Sequence, residues 1–181
     1  MSNRRSAPSK RRNDPIVGKV AKRATKEQTA EPSRMLVPSG SVMLNLACSN
    51  SYRGAFEVGR MVNLIGDSSS GKTYLAMEML AQCCKDKRFK DYRLIYDDTE
   101  HAMSMDIETL FGDALAERIE CAHYTEEGEE DPSRTIEDFH CNILDALEEG
   151  PCIYILDSFD ALTSEQDEDK IDEMRDARAK G

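Results

Sequence analysis

Tryptophan is absent, and aromatic residues of every kind make up 6% of the 181 positions. No apolar run approaches the ~20 residues that a membrane-spanning helix needs, so the sequence predicts no membrane segment. The basic N-terminal stretch is not followed by an apolar core, which argues against a secretory leader. Six cysteines (Cys48, Cys83, Cys84, Cys121, Cys141 and Cys152) form no C-x-x-C or histidine-paired spacing, which argues against a thiolate metal site. Most of them sit inside apolar runs, where cysteine behaves as a small hydrophobe. Reduced thiols and a cytoplasmic location are the expectation. No internal repeat is visible.

Charge is plentiful. Charged residues make up 33% and hydrophobic residues 39%, the first above and the second below ordinary usage. Residues 1–34 carry ten Lys/Arg against three Asp/Glu, whereas the remainder carries fourteen against thirty-two, for a net −11. A basic arm thus precedes an acidic body, residues 35–181. The arm has few large apolar residues and three prolines, Pro8, Pro15 and Pro32, which predicts disorder with a helical turn or two at most around Val17–Ala24. Ten cations can displace counterions from nucleic acid. A solvated leader, or a segment docking on a neighbouring subunit, fits the same composition.

From residue 59 onward strand-like and helix-like stretches alternate. "GRMVNLIG" reads as a buried strand, and "TYLAMEMLAQCCKDK" as a helix with Leu75, Ala76, Met79, Leu80 and Cys83 on one face. "YRLIYDD" (92–98), "IECAHY" (119–124) and "CIYILD" (152–157) are further strands. Short helices broken near Gly112 and an amphipathic helix through Ile136, Phe139, Ile143 and Leu147 lie between them. "TEEGEEDPSRT" reads as a solvated acidic loop, and residues 164–181 as a charged helix with little to bury. The pattern predicts an α/β fold, a parallel sheet flanked by helices.

Between the first strand and the first of these helices lies "GDSSSGKT". Gly66, Gly71, Lys72 and Thr73 fit G-x-x-x-x-G-K-[ST]. Glycine lets the backbone close around an anion, and the turn residues Asp67, Ser68, Ser69 and Ser70 point successive N–H groups inward as a nest. The helix that follows adds its positive end. In such a P-loop Lys72 reaches the β- and γ-phosphates of a nucleoside triphosphate and the Thr73 hydroxyl ligates Mg²⁺. A carboxylate to help hold the metal belongs at the carboxyl end of a parallel strand, where Asp157 stands; taken alone, Asp157 serves equally as a helix cap. Ser158 beside it is placed to order the metal's water shell. Hydrolysis also requires a group to orient or deprotonate water, and "YDDTEHAM" offers Asp97, Asp98 and Glu100, all of which also suit helix capping.

With these residues in place, the chain resembles a RecA-type recombinase of a phage-like variety. "LVPSGSVMLNLACSNSYRGAFEVGRMVNLIGDSSSGKT" is similar to the family's approach to its ATPase core. "LIYDDTEHAM" resembles the segment presenting the catalytic glutamate, which falls on Glu100. "YILDSFDALTSE" resembles the Walker B strand and its turn, which falls on Asp157. The likeness covers roughly residues 36–175, with four motifs in order. It implies a P-loop NTPase with a RecA-like core, ATP and Mg²⁺ as cofactors, and DNA-dependent ATP hydrolysis. It also implies a filament on single-stranded DNA and strand exchange in recombination and repair.

Two departures stand out. Bacterial members place an aromatic residue that stacks on adenine about where Ile107 stands here. Members also continue well past the Walker B strand, through DNA-contacting loops and a strand that lies between the P-loop strand and the Walker B strand. The resemblance therefore implies an incomplete core, a fragment of a longer recombinase, with two interior strand edges unpaired. Each unpaired buried polar group costs roughly 1–3 kcal/mol against a total stability of about 5–15 kcal/mol. A RecA-like ATPase of the replicative-helicase or repair-regulator type, and a nucleotide-binding module without catalysis, are the competing readings.

Overall fold

The computed structural model describes residues 34–101 and 103–179; the expected helical turns around residues 17–24, and the arm to residue 33, lie outside them. The chain divides into units of residues 1–35 and 36–181, and the elements below belong to the second.

A small antiparallel ribbon opens this unit: β1 (Leu36–Val37) pairs with β2 (Phe56–Glu57). Between them runs α1 (Val42–Ser49), started by Ser41, whose hydroxyl accepts the Leu44 N–H. Helix α1 stops at Asn50 in the left-handed conformation, φ 56°. Buried Asn45 ties the turn together by accepting from the Ser39 N–H and hydroxyl and donating to the Tyr52 carbonyl. Gly54 is obligatory: a Cβ there would lie 2.7 Å from the Val37 carbonyl oxygen.

The main sheet is parallel, in the order β4–β3–β5, with β3 (Arg93–Asp98), β4 (Ile119–Glu120) and β5 (Cys152–Asp157). Helix α2 (Lys72–Lys85) precedes β3, short α3 (Ile107–Phe111) and α4 (Asp113–Ala116) follow it, and α5 (Ile136–Glu149) leads into β5. Side chains alternate between faces along each strand. Leu94 and Tyr96 share a face with Asp157, the partner of Thr73 at the start of α2; Ile95 and Tyr154 lie on the other, where Phe139 of α5 packs edge-on against the Tyr154 ring. Helices therefore cover both faces, as the alternation predicted.

The core centres on β3 and α2. Met77, Leu80 and Cys83 of α2 and Leu94 and Ile95 of β3 have no exposed surface, and neither have Phe89 and Leu115. The buried face of α2 is thus rotated slightly from the predicted one: Ala76, Leu80 and Cys83 are buried as expected, Met77 and Ala81 join them, and Leu75 and Met79 are only half-buried. Burial pushes the Cys83 thiol up to about 12, and all six cysteines are free. Helix α5 begins with a reciprocal cap, the Thr135 hydroxyl accepting from the Asp138 N–H while the Asp138 carboxylate accepts from the Thr135 N–H. No helix among the described residues is long and apolar enough to cross a membrane.

Three expectations are corrected. Residues 61–67 form no strand and are not buried: they enter no ladder, and Met61 and Ile65 are 89% and 90% exposed. A strand needs a neighbour to accept its hydrogen bonds, and among the described residues β5 pairs with β3 alone. The third strand shrinks from 119–124 to Ile119–Glu120, because the chain turns away into the bridge between Tyr124 and Glu130. The acidic loop is solvated only in its first half; Pro132, Ser133 and Thr135 are buried. Helix α6 (Glu165–Ala179) closes the unit, exposed along Glu165–Ile171 as expected.

Candidate nucleotide and metal site

Residues 66–71 form an exposed turn leading into α2, which begins with half-buried Lys72 and Thr73. Ser69 at φ 60° and Gly71 at φ 91° both sit in the left-handed region, and the Ser70 N–H closes the turn on the Asp67 carbonyl at 3.2 Å. At Gly66 a Cβ would fall 2.8 Å from Ser70 Oγ, so a side chain there would oblige the Ser70 hydroxyl to swing aside. The first turn of any α-helix leaves N–H groups without intrahelical partners. Here the N-cap is Gly71, with no side-chain cap and no acidic residue in the first turn. This end of α2 therefore keeps the positive potential that suits an anion. Lys72 folds back across the loop, Nζ donating to the carbonyls of Gly66 at 2.8 Å and Asp67 at 3.0 Å. Asp67 thus serves through its backbone, and Ser68 lies at the exposed tip.

Thr73 and Asp157 are brought together across 84 residues of sequence: Thr73 Oγ1 donates to Asp157 Oδ2 at 2.6 Å. The same carboxylate oxygen accepts from the Tyr96 hydroxyl at 2.9 Å. Burial, and then this contact with Asp157, push the Tyr96 phenol well above its ordinary value, so it remains a donor throughout the physiological range. A hydroxyl and a carboxylate are hard oxygen donors of the kind Mg²⁺ takes, and Mg²⁺ ordinarily completes its shell with waters and substrate phosphates. The pair fits that ion, and the described residues contain no group of three or more His, Cys, Asp or Glu that would form a closed protein cage.

The acids at the end of β3 have separate fates. Asp97 points to the opposite face and is fully buried, accepting from the Ser133 N–H, the Ser133 hydroxyl and the Tyr154 hydroxyl. Asp98 accepts the Met103 N–H at 2.9 Å and shapes the following turn. Glu100 is exposed and accepts from the Ser158 hydroxyl at 2.6 Å. Ser158, expected beside the metal's water shell, makes its hydroxyl contact with Glu100. Thr99 ties the two strand ends, its N–H on the Asp157 carbonyl at 3.1 Å and its hydroxyl on the Ser158 carbonyl at 2.9 Å. Ile107 opens α3, half-buried behind its Asp106 cap.

Sequence reasoning missed Tyr96 and Thr99 as parts of this site. Tyr96 was legible in principle: it has the parity of Asp98, and Asp98 is the register partner of Asp157.

The profile of the RecA N-terminal domain family matches residues 15–177. The chain belongs to that family. Proteins RecA of two strains of Xylella fastidiosa are 40% identical to it over 67 residues, 37% of this chain and 17% of theirs. Protein RecA of Oleidesulfovibrio alaskensis is 35% identical over 77 residues, 42% of this chain and 20% of that protein. The matched stretch therefore spans a fifth or less of these relatives. No solved structure matches the chain. The α/β architecture with its parallel, helix-flanked sheet is that of a RecA-like core.

Proposed function

We propose that this RecA-type chain binds ATP with Mg²⁺ at residues 66–73, and that the nucleotide drives filament assembly on single-stranded DNA and strand exchange in recombination and repair. The observation that carries the reading is the meeting of an uncapped, cation-bearing helix start with a carboxylate 84 residues away, through the 2.6 Å contact of Thr73 and Asp157. A triphosphate with its metal is the ligand that needs both at once.

Lys72 exchanges its two carbonyl partners for phosphate oxygens and neutralises charge there, while the amides of Gly66 to Thr73 cradle the β-phosphate. Thr73 and Asp157 hold the metal side. When bound, Mg²⁺ supplies charge neutralisation on the β- and γ-oxygens. Glu100, exposed at the end of β3 and steadied by Ser158, orients and deprotonates the attacking water. DNA and a second copy of the chain are the partners of this reading, and the cytoplasm its compartment. A nucleotide-binding module without turnover is the second reading, favoured by β5 pairing with β3 alone among the described residues and by the exposed segment 61–67.

Thermal melting with and without Mg·ATP, alongside hydrolysis, tests both. Ligand at 100 times Kd stabilises by about 2.7 kcal/mol. The parent's melt rises with Mg·ATP, Lys72→Ala abolishes the rise, and Glu100→Gln keeps it while turnover disappears. Absence of a rise in the folded parent overturns the nucleotide assignment. Hydrolysis by Glu100→Gln at the parent's rate overturns the role of Glu100.

A further inference from the structure

Two tyrosine–aspartate contacts cross between β3 and β5, one on each face of the sheet. Tyr154 reaches Asp97 on the face that carries α5, and Tyr96 reaches Asp157 on the face that carries the start of α2. The register explains both. Tyr96 lies opposite Ile155, two residues before Asp157, and Tyr154 lies opposite Ile95, two residues before Asp97. Each phenol therefore leans one side-chain repeat along the neighbouring strand, and the two contacts are reciprocal.

Their surroundings differ. Asp97 is saturated by three donors from within the fold, and nothing further is asked of it. Asp157 Oδ2 accepts from Thr73 and Tyr96. The Thr73 contact comes from the first turn of α2 beside the loop. Tyr96, 7% exposed, reaches the carboxylate from the middle of the sheet.

We infer that Tyr96 is a positioning residue for the Mg²⁺ site: its phenol O–H clamps Asp157 Oδ2 from the sheet side and fixes the carboxylate's orientation toward the metal. The inference rests on the nucleotide reading above and extends it to a residue that neither phosphate nor metal touches. Hydrogen-bond partners behind a metal-ligating group typically govern metal affinity by 10–100-fold. The effect must therefore appear in the magnesium requirement rather than in nucleotide affinity as such.

The test is a magnesium chloride titration of fluorescent ATP-analogue binding to the full chain, with a companion measurement in EDTA. Tyr96→Phe keeps the ring and deletes only the hydroxyl. It raises the magnesium midpoint about tenfold and leaves the EDTA affinity unchanged. Tyr154→Phe is the matched control, losing the mirror contact on the other face while its magnesium midpoint stays at the parent's value. A parent midpoint in Tyr96→Phe overturns the positioning role, as does an equal rise in both variants. A parent that binds no analogue with or without magnesium overturns the nucleotide reading and this inference with it, a result plainly different from binding whose magnesium dependence ignores Tyr96.

Discussion

Removing the Tyr154 hydroxyl should cost more than a surface change of the same size. In Tyr154→Phe the ring stays against Phe139, so packing is preserved and one hydrogen bond is lost. That bond, 2.6 Å from the phenol to Asp97 Oδ2, ends on a fully buried carboxylate. Hydrogen bonds to charged groups contribute about 1.5–3 kcal/mol, so a loss of that order is expected. At about 2–4 °C per kcal/mol for a domain of this size, the melting temperature falls by roughly 3–12 °C. Asp97→Ala is more severe. It strips partners from the Ser133 N–H, the Ser133 hydroxyl and the Tyr154 hydroxyl, each worth about 1–3 kcal/mol when orphaned. The combined loss rivals the whole stability of an ordinary domain, so this variant should not melt cooperatively. Urea and thermal unfolding followed by far-UV circular dichroism measure both. A Tyr154→Phe variant within 0.5 kcal/mol of the parent, the range of an ordinary surface change, would refute the view that this buried carboxylate staples β3 to β5.

Two further outcomes follow from the site and the core. Ser158→Ala releases Glu100 from its 2.6 Å partner and should lower kcat about tenfold, on the scale of a positioning effect, with ATP affinity unchanged. A matching loss of affinity would place Ser158 in binding instead. Cys83, buried with its thiol pushed up to about 12, stays protonated at pH 8 and should not react with a thiol-disulfide reagent until the chain unfolds. The exposed Cys48 and Cys141 should react at once; early labelling of Cys83, read by peptide mass, would contradict the packing of α2.

Local signals carried most of the site. The glycines and lysine of 66–73 and the acid ending "CIYILD" stand out by type and spacing, and the fold sets Thr73 against Asp157. Among the three acids after "YRLIY", sequence alone left the choice to resemblance. Strand parity sends Asp97 to the far face, and the turn engages Asp98 with Met103. The contact of Ser158 with Glu100 was not legible locally, since it arises where two strand ends meet across 58 residues of sequence. "GRMVNLIG" was misjudged for a different reason. Its composition suits a strand, yet strand formation depends on a hydrogen-bonding neighbour, which a sequence window cannot display. The amphipathic pattern of α5 was also only partly cashed in: Ala146 is buried while Ile136 and Leu147 remain 42% and 58% exposed.

The exposed segment 61–65 bears on how the molecule behaves in bulk. Met61, Val62 and Ile65 are exposed outside any ladder, and among the described residues β5 pairs along one side only; apolar surface and a strand edge of this kind invite sticking between copies. What opposes this is the surplus of eleven negative charges, a mutual repulsion that vanishes as the solution is acidified toward the isoelectric point of about 4.8. Concentrated samples should therefore stay clear at neutral pH and turn cloudy on mild acidification, with high salt pushing them the same way by shortening the reach of that repulsion.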